Sequence, residues 1–335
     1  MLVSGRIHRA LREPVKTDYG LEHLERTHFP NTQEIPERVS TTTKSALPRA
    51  LIEPDVDGVF TVDVEDWFHI LDIGGPEPHE WGALPSRVEA NFIRLLDLFS
   101  EKEVSATCFF LGWVADRFPH LVREAAQRGH EIASHGQSHQ LTYTLSRDQF
   151  SEDIRHSRET LEDLTGAPIL GYRSPGFSMA SWFYETLADA GYQYDASLFP
   201  APRGHGGMPG GNRAPHPVVQ NGRQILEFPV SVVAVLGKPV CFSGGGYLRL
   251  FPYWFIRRMS EKVLGEKRPI VFYIHPREID PHHPRLKMSA HRRFKSYVNL
   301  ASTERKLVRI LSEFRLTTFR QLLSQSAQNE RLVEA

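Results

Sequence analysis

The sequence predicts an α/β protein, a distorted or incomplete (β/α) barrel of about seven strands, on three observations. Short apolar runs rich in Val, Ile and Phe alternate with amphipathic stretches across residues 58–314. Ionisable residues fall repeatedly at the carboxyl end of an apolar run, where a parallel barrel gathers its active site. No Gly-x-Gly-x-x-Gly opens a helix after the first strand, which disfavours the competing doubly wound dinucleotide fold.

Taken in order, residues 1–50 are polar, Thr- and Pro-rich and lack a sustained apolar period, so they read as a mobile tail. Gly58-Val59-Phe60-Thr61-Val62-Asp63 reads as the first buried strand. Pro85-Ser86-Arg87-Val88-Glu89 has the form of a capping box opening a helix through Leu95, Leu96 and Phe99. Residues 104–110 form the next strand, 119–128 a helix stopped at Gly129, and 131–134 another strand. Ser146-Arg147-Asp148-Gln149 caps a long helix ending near Thr165-Gly166. A strand over 168–172, a helix over 178–190 and a short strand over 192–194 follow. The Gly/Pro-rich stretch 200–222 reads as a loop, 225–235 as strand, 253–264 as helix, 269–274 as strand and 302–314 as helix. The expected organisation is therefore a tail over 1–50, a barrel over 51–280 and a C-terminal extension over 281–335 packed on it.

Composition narrows the function. Forty Lys and Arg balance forty Asp and Glu in 335 residues, and a net charge of zero argues against a nucleic-acid partner. Cys108 and Cys241 both lie in apolar surroundings and read as buried thiols. No run approaches the ~20 apolar residues of a membrane span. The first six residues lack the apolar core of a secretory signal, so a cytoplasmic, at most membrane-peripheral, address is expected.

The chemistry centres on Ser134-His135-Gly136-Gln137-Ser138-His139. If helix follows the strand, His135 and His139 project from one face and can grip one divalent cation. A chain with sixteen histidines also sets two of them four apart by chance, and spacing alone leaves both readings open. Position adds to it. Asp63, Glu65 and Asp66 follow the first strand, Arg173 follows the 168–172 run, Asp195 the 192–194 run and His275 the 269–274 run.

These stretches resemble the polysaccharide deacetylases that share the nodulation-type chitooligosaccharide deacetylase homology domain (carbohydrate esterase family four). Thr61 to Asp66 is similar to that family's first motif and Ser134 to His139 to its metal-binding second. Arg173-Ser174-Pro175-Gly176 resembles the Arg-x-Pro motif, Asp195 stands where the fourth motif has its Asp, and Ile274-His275 resembles the last. His275-Pro276-Arg277-Glu278-Ile279-Asp280 resembles the branch associated with exopolysaccharide and exosortase systems. The resemblance implies a metal-dependent hydrolase that removes N-acetyl groups from N-acetylhexosamine units of a bacterial exopolysaccharide or cell-surface polysaccharide, its partner being that N-acetylated polymer or oligosaccharide. It further implies that His135, His139 and one carboxylate hold a divalent metal, zinc by ligand type, with cobalt or nickel fitting the same donors.

Many members carry two adjacent aspartates where this chain has Asp63-Val64-Glu65-Asp66. A continuing strand favours Glu65 as the ligand, since residues 63 and 65 share a face; a sharp turn would aim Asp66 instead. In this scheme Asp63 is the general base, Arg173 holds it, and His275, held by Asp195, protonates the departing amine. The Gly176 N–H, beside Pro175, would meet the oxyanion, and Trp67 could stack on sugar, though packing explains it equally well. Two alternatives share the scaffold: a small cyclic-amide hydrolase, and a non-catalytic carbohydrate-binding relative. A basic cluster, Arg292-Arg293-Phe294-Lys295, could meet an anionic polymer or lipid carrier, with a solvated face as the plainer reading. Association with a polysaccharide synthesis complex would be peripheral.

Overall fold

Parallel pairing sets the frame of the protein, whose computed structural model describes residues 56–71 and 76–324. The expected tail over 1–50 lies outside the described residues. The strands are β1 (Gly58–Val64), β2 (Thr107–Phe110), β3 (Glu131–Ser134), β4 (Gly171–Tyr172), β5 (Tyr194–Asp195), β6 (His216–Gln220), β7 (Arg223–Glu227), β8 (Val232–Val235), β9 (Lys238–Cys241), β10 (Ile270–Ile274) and β11 (Leu316–Thr317). The helices are α1 (Val88–Glu101), α2 (Gly112–Arg117), α3 (Pro119–Gln127), α4 (Arg147–Thr165), α5 (Phe183–Asp189), α6 (Gly245–Leu250), α7 (Tyr253–Gly265), α8 (Ala290–Tyr297) and α9 (Leu300–Glu313).

The main sheet runs β10-β1-β2-β3-β4-β5-β7-β6, with β11 also on β1, and every pairing is parallel except β6 with β7. This is an incomplete (β/α) barrel. Residues 228–231 cross the gap between its ends: Phe228 N donates to Asp195 O, Val230 N to Leu198 O, and Val271 N to Ser231 Oγ.

Strand periodicity divides the side chains between two cores. Phe60, Val62, Val64, Cys108 and Phe110 face the helices and join the large cluster that includes Phe92, Leu95 and Phe99 of α1. Val59, Phe109, Ala133, Tyr194, Phe228 and Val271 face the other way and pack with Phe319 and Leu322. Phe319 lies 4.7 Å from the Phe228 ring and 5.1 Å from Tyr194, and its N–H donates to Thr107 Oγ1. The stretch after residue 280 is thus not only an outer extension: it adds β11 to the sheet and fills the barrel interior. Phe319→Ala should cost ~3–5 kcal/mol, read as a lower urea midpoint at unchanged slope.

Several local expectations need correction. Ser86 does not cap α1; the N-cap position is Arg87, and the Ser86 hydroxyl donates to Asp66. Ser146 does cap α4 in a reciprocal box with Gln149, and Gly166 closes that helix at φ 66°. The 200–222 stretch holds strand β6, joined to β7 by Asn221-Gly222, both at positive φ (48° and 76°). An Asn-Gly pair of that kind is the signature of a tight hairpin, and Pro217 suits an edge strand. The 225–235 run is two strands in two sheets. Cys108 and Cys241 are buried free thiols, and burial pushes Cys241 up to about 11.

Candidate active site

Register explains why distant residues meet. Val64, Phe110, Ser134, Tyr172, Asp195 and Glu227 are successive partners across β1 to β7, and Val62 pairs with Ile274 of β10. Glu65, His135, Arg173 and His275 each stand one residue beyond a strand end, so all four emerge on one rim.

Glu65, His135 and His139 are buried, and one donor atom from each lies within 4.8 Å of the others. His139 Nε2 is 2.5 Å and His135 Nε2 4.0 Å from Glu65 Oε2. His135 Nδ1 donates to Arg173 O at 2.7 Å, which turns Nε2 inward in the arrangement that ligating imidazoles use. Two imidazole nitrogens and a carboxylate oxygen are the donor set of hydrolytic zinc sites.

The histidines do not ride a helix as expected. Residues 135–139 form a loop, with Gly136 at φ 75° and His139 at φ 54°. Positive φ at a histidine costs about 1 kcal/mol or more, and the surroundings must hold it. Asp153 of α4 does so: its carboxylate accepts from Gln137 N at 2.8 Å, from Ser138 N at 2.9 Å and from the Ser138 hydroxyl. A Cβ on Gly136 would stand 2.8 Å from Asp153 Oδ2, so only glycine fits there. Sequence reasoning missed Asp153; it carries no strand-end signal, only the helical face of α4. Asp153→Ala should loosen the loop and weaken metal retention about 10- to 100-fold, measured by chelator competition, with the fold preserved.

Of the two carboxylates left open by the sequence, Glu65 reaches the imidazoles. The strand stops at Val64 and the chain turns, Glu65 N donating to Asp63 O. Asp66 is directed elsewhere: its oxygens accept from Trp67 N, Ser86 Oγ, Arg87 N and Val88 N at the start of α1. It is not placed to ligate, and burial, only partly offset by those bonds, raises its pKa. For Glu65, burial would push the carboxyl up, but His139, His275 and His135 outweigh it and hold the group well below the usual carboxylate range. Burial pushes His135 down to about 4, which keeps it neutral and able to donate a lone pair.

Asp63 is buried with Arg173. Arg173 Nη1 donates to Asp63 Oδ1 at 2.7 Å and to Thr61 Oγ1 at 2.7 Å, and Nε donates to Ala196 O. Its guanidinium carbon sits 4.2 Å from the Phe109 ring centroid, which completes a rigid cradle. That leaves Asp63 Oδ2 turned toward His275 Nε2, 3.7 Å away; Glu65 Oε1 is 3.6 Å from the same nitrogen.

The expected support of His275 by Asp195 is corrected. Asp195 accepts from Ser197 N and Oγ; burial pushes its carboxyl and that of Glu227 up, and the neighbouring Asp195 raises Glu227 further while a hydrogen bond with Glu227 partly offsets the rise in Asp195. Glu278 takes the place: its Oε2 lies 3.4 Å from His275 Nδ1 and accepts from His275 N. Arg249 Nε, itself buried, donates to Glu278 Oε1 at 3.0 Å. Burial would lower His275, but Glu65, Glu278 and Asp63 raise it above an ordinary imidazole; burial would raise Glu278, but His275 and Arg249 bring it to about 2.

Trp67 is not a sugar platform. It is buried, its Nε1 donates to Pro85 O, and its ring packs against Phe68 and His283. Pro175 and Gly176 form a short turn in which Gly176 adopts φ 63°, and a Cβ there would meet Leu141 at 2.8 Å.

Comparison with known proteins fits this geometry. The polysaccharide deacetylase family matches residues 82–194, and a domain of unknown function (DUF3473) matches 196–324. The chain is 32% identical over 110 residues to the peptidoglycan deacetylase of Helicobacter pylori, a third of this chain and 38% of that protein's length. A putative polysaccharide deacetylase from Mycobacterium smegmatis superposes with a TM-score of 0.51 at 20% identity, covering 84% of this chain and 94% of that one. An allantoinase superposes with a TM-score of 0.53 at 15% identity, covering 88% and 97%. Both structural likenesses concern the fold. The deacetylase match begins after Asp63 and Glu65 and ends before His275, so folding, not that match, brings these three to the histidines.

Proposed function

We propose, on the similarity of residues 82–194 to the polysaccharide deacetylase family and on the site's geometry, that the chain is a metal-dependent hydrolase removing N-acetyl groups from N-acetylhexosamine units of a bacterial exopolysaccharide or other cell-surface polysaccharide. The observation that carries the reading is the meeting of Asp63, Glu65, His135, His139 and His275 on one rim. A binding module would need neither the base nor the acid.

Glu65, His135 and His139 would hold the ion, zinc by donor type, with cobalt or nickel also suited. When bound, it supplies a Lewis acid for the acetyl carbonyl and makes water more acidic. Asp63 Oδ2 takes the proton of the attacking water, while Arg173 grips Oδ1 and fixes the carboxylate's direction. The Gly176 N–H is the proposed donor to the oxyanion. As the C–N bond breaks, His275 gives its proton to the sugar nitrogen; acetate and a free amine result. Glu278, in place of Asp195, keeps that imidazole charged and aimed.

No helix among the described residues is long and apolar enough to cross a membrane. A cytoplasmic or membrane-peripheral position beside a polysaccharide synthesis complex belongs to the same proposal. The test incubates the zinc-loaded full chain with N-acetylglucosamine oligomers and with N-acetylated bacterial polysaccharides. Acetate and free amine in equal amounts are expected. Folded, metal-loaded protein that releases neither from any of them contradicts the reading.

A further inference from the structure

The segment after the catalytic histidine has a charge pattern that the deacetylation chemistry does not use. Between Pro281 and Thr303 there is no Asp or Glu, while Arg285, Lys287, Arg292, Arg293 and Lys295 follow one another in a chain whose net charge is zero. Arg285, Leu286, Lys287, Met288 and Arg293 line an open cleft of about 570 Å³. Arg285 lies over the Tyr297 ring at 4.7 Å, and Arg293 and Lys295 are exposed without a carboxylate partner among the described residues. Phe294, between them, is also exposed.

This cleft is fastened to the catalytic rim at two points. Leu286 packs against Trp67, Phe68 and Trp81, and its N–H donates to the Tyr297 hydroxyl; His283 stacks between Trp67 and Tyr297. Arg249, the partner of Glu278, donates to the carbonyls of Lys295 and Ser296 on α8. A ligand in the cleft would therefore lie on a surface that packs against the residues after Asp66 and is hydrogen-bonded to Arg249, the partner of Glu278.

We propose that the cleft is an anion-binding subsite, which takes a carboxylate- or phosphate-bearing unit of the same polymer whose N-acetylhexosamine is presented to the catalytic rim. The inference rests on the deacetylase reading and makes the substrate an acidic polysaccharide. Guanidinium groups match both anions through paired hydrogen bonds, and a concave basic surface concentrates polyanions. A concave cleft tied to the site favours a polymer over a flat membrane surface, against which a basic helix would lie.

The experiment measures binding of the zinc-loaded full chain to four probes at ~50 mM and ~500 mM salt. These are a glucuronate–N-acetylglucosamine polymer, a glycerol-phosphate polymer, neutral N-acetylglucosamine hexamer, and vesicles of phosphatidylglycerol with phosphatidylcholine. At least one acidic polymer should bind about tenfold or more tighter than the hexamer at low salt, the advantage shrinking at high salt; which one binds identifies the anion. Arg285→Glu with Arg293→Glu should weaken that binding about tenfold or more, whereas Arg155→Glu, a reversal on exposed α4, should not. Circular dichroism confirms that each variant is folded.

Equal binding of neutral and acidic polymers overturns the proposal, as does indifference to the double reversal. So does charge-dependent vesicle binding without polymer binding, which would assign the patch to a lipid surface. Charge-dependent polymer binding without acetate release from any substrate would instead sink the deacetylase reading, so the two failures are distinct.

Discussion

Asp63→Asn is expected to lower acetate release about 10²- to 10⁴-fold, the span that a positioned general base contributes. The substitution keeps the volume and an oxygen that can still accept from Arg173 Nη1 at the Oδ1 position. What it removes is the carboxylate oxygen facing His275. Metal content should stay at the wild-type level, because the three residues proposed to hold the ion are Glu65, His135 and His139. Some stability should be lost as well, since Arg173 is fully buried and Asp63 is its carboxylate partner. Rates are therefore compared at a temperature where both proteins are folded. A variant with near wild-type rates would remove Asp63 from the mechanism.

His275→Ala should cost a comparable 10²- to 10⁴-fold, and the pH profile separates an acid from a merely structural histidine. Glu65, Glu278 and Asp63 together raise His275 above an ordinary imidazole despite burial. An acid works only while protonated, so activity is present below that raised value and is lost as pH rises through it. The wild type should show this alkaline limb; His275→Ala should lose it along with the rate. Glu278→Gln should keep the residue but move the limb to lower pH by roughly one pH unit, because one of the carboxylates that favour the imidazolium is gone. An ion held by Glu65 takes up that carboxylate's charge, which makes Glu278 the decisive partner. A profile unmoved by Glu278→Gln would show that the 3.4 Å approach has no bearing on the acid.

Much of the barrel and the rim was legible in the sequence because both follow from strand ends. Apolar runs mark β1, β3 and β10, and parallel pairing puts the next residue of each on one face. Which rim residues touch was less legible, since that depends on where loops turn. The geometry that unites His135 and His139 comes from Gly136 and from Asp153, far along α4, and local spacing carries no trace of that anchor. Glu65 and Asp66 differ by one position, and the turn after Val64 separates their fates. Asp195 ends a strand as the pattern requires, yet it pairs across to β7 and its loop, not to β10, and it is Glu278, three residues after His275, that stands beside that imidazole. For Trp67 the sequence left sugar stacking and packing equally open, and the hydrogen bond of its indole to Pro85 and the packing of Phe68 bury it. The hairpin of β6 and β7 was hidden by the Pro and Gly content of 200–222, within which the Asn221-Gly222 turn joins the two strands.

The account depends on one ion being held where Glu65, His135 and His139 meet. Anomalous diffraction at the zinc edge, from crystals of the zinc-loaded full chain, tests that most directly. One peak is predicted at about 2.0–2.2 Å from a nitrogen of each histidine and an oxygen of Glu65, and it should vanish in His135→Ala. Zinc bound elsewhere in the chain, or a peak that persists in His135→Ala, would contradict it.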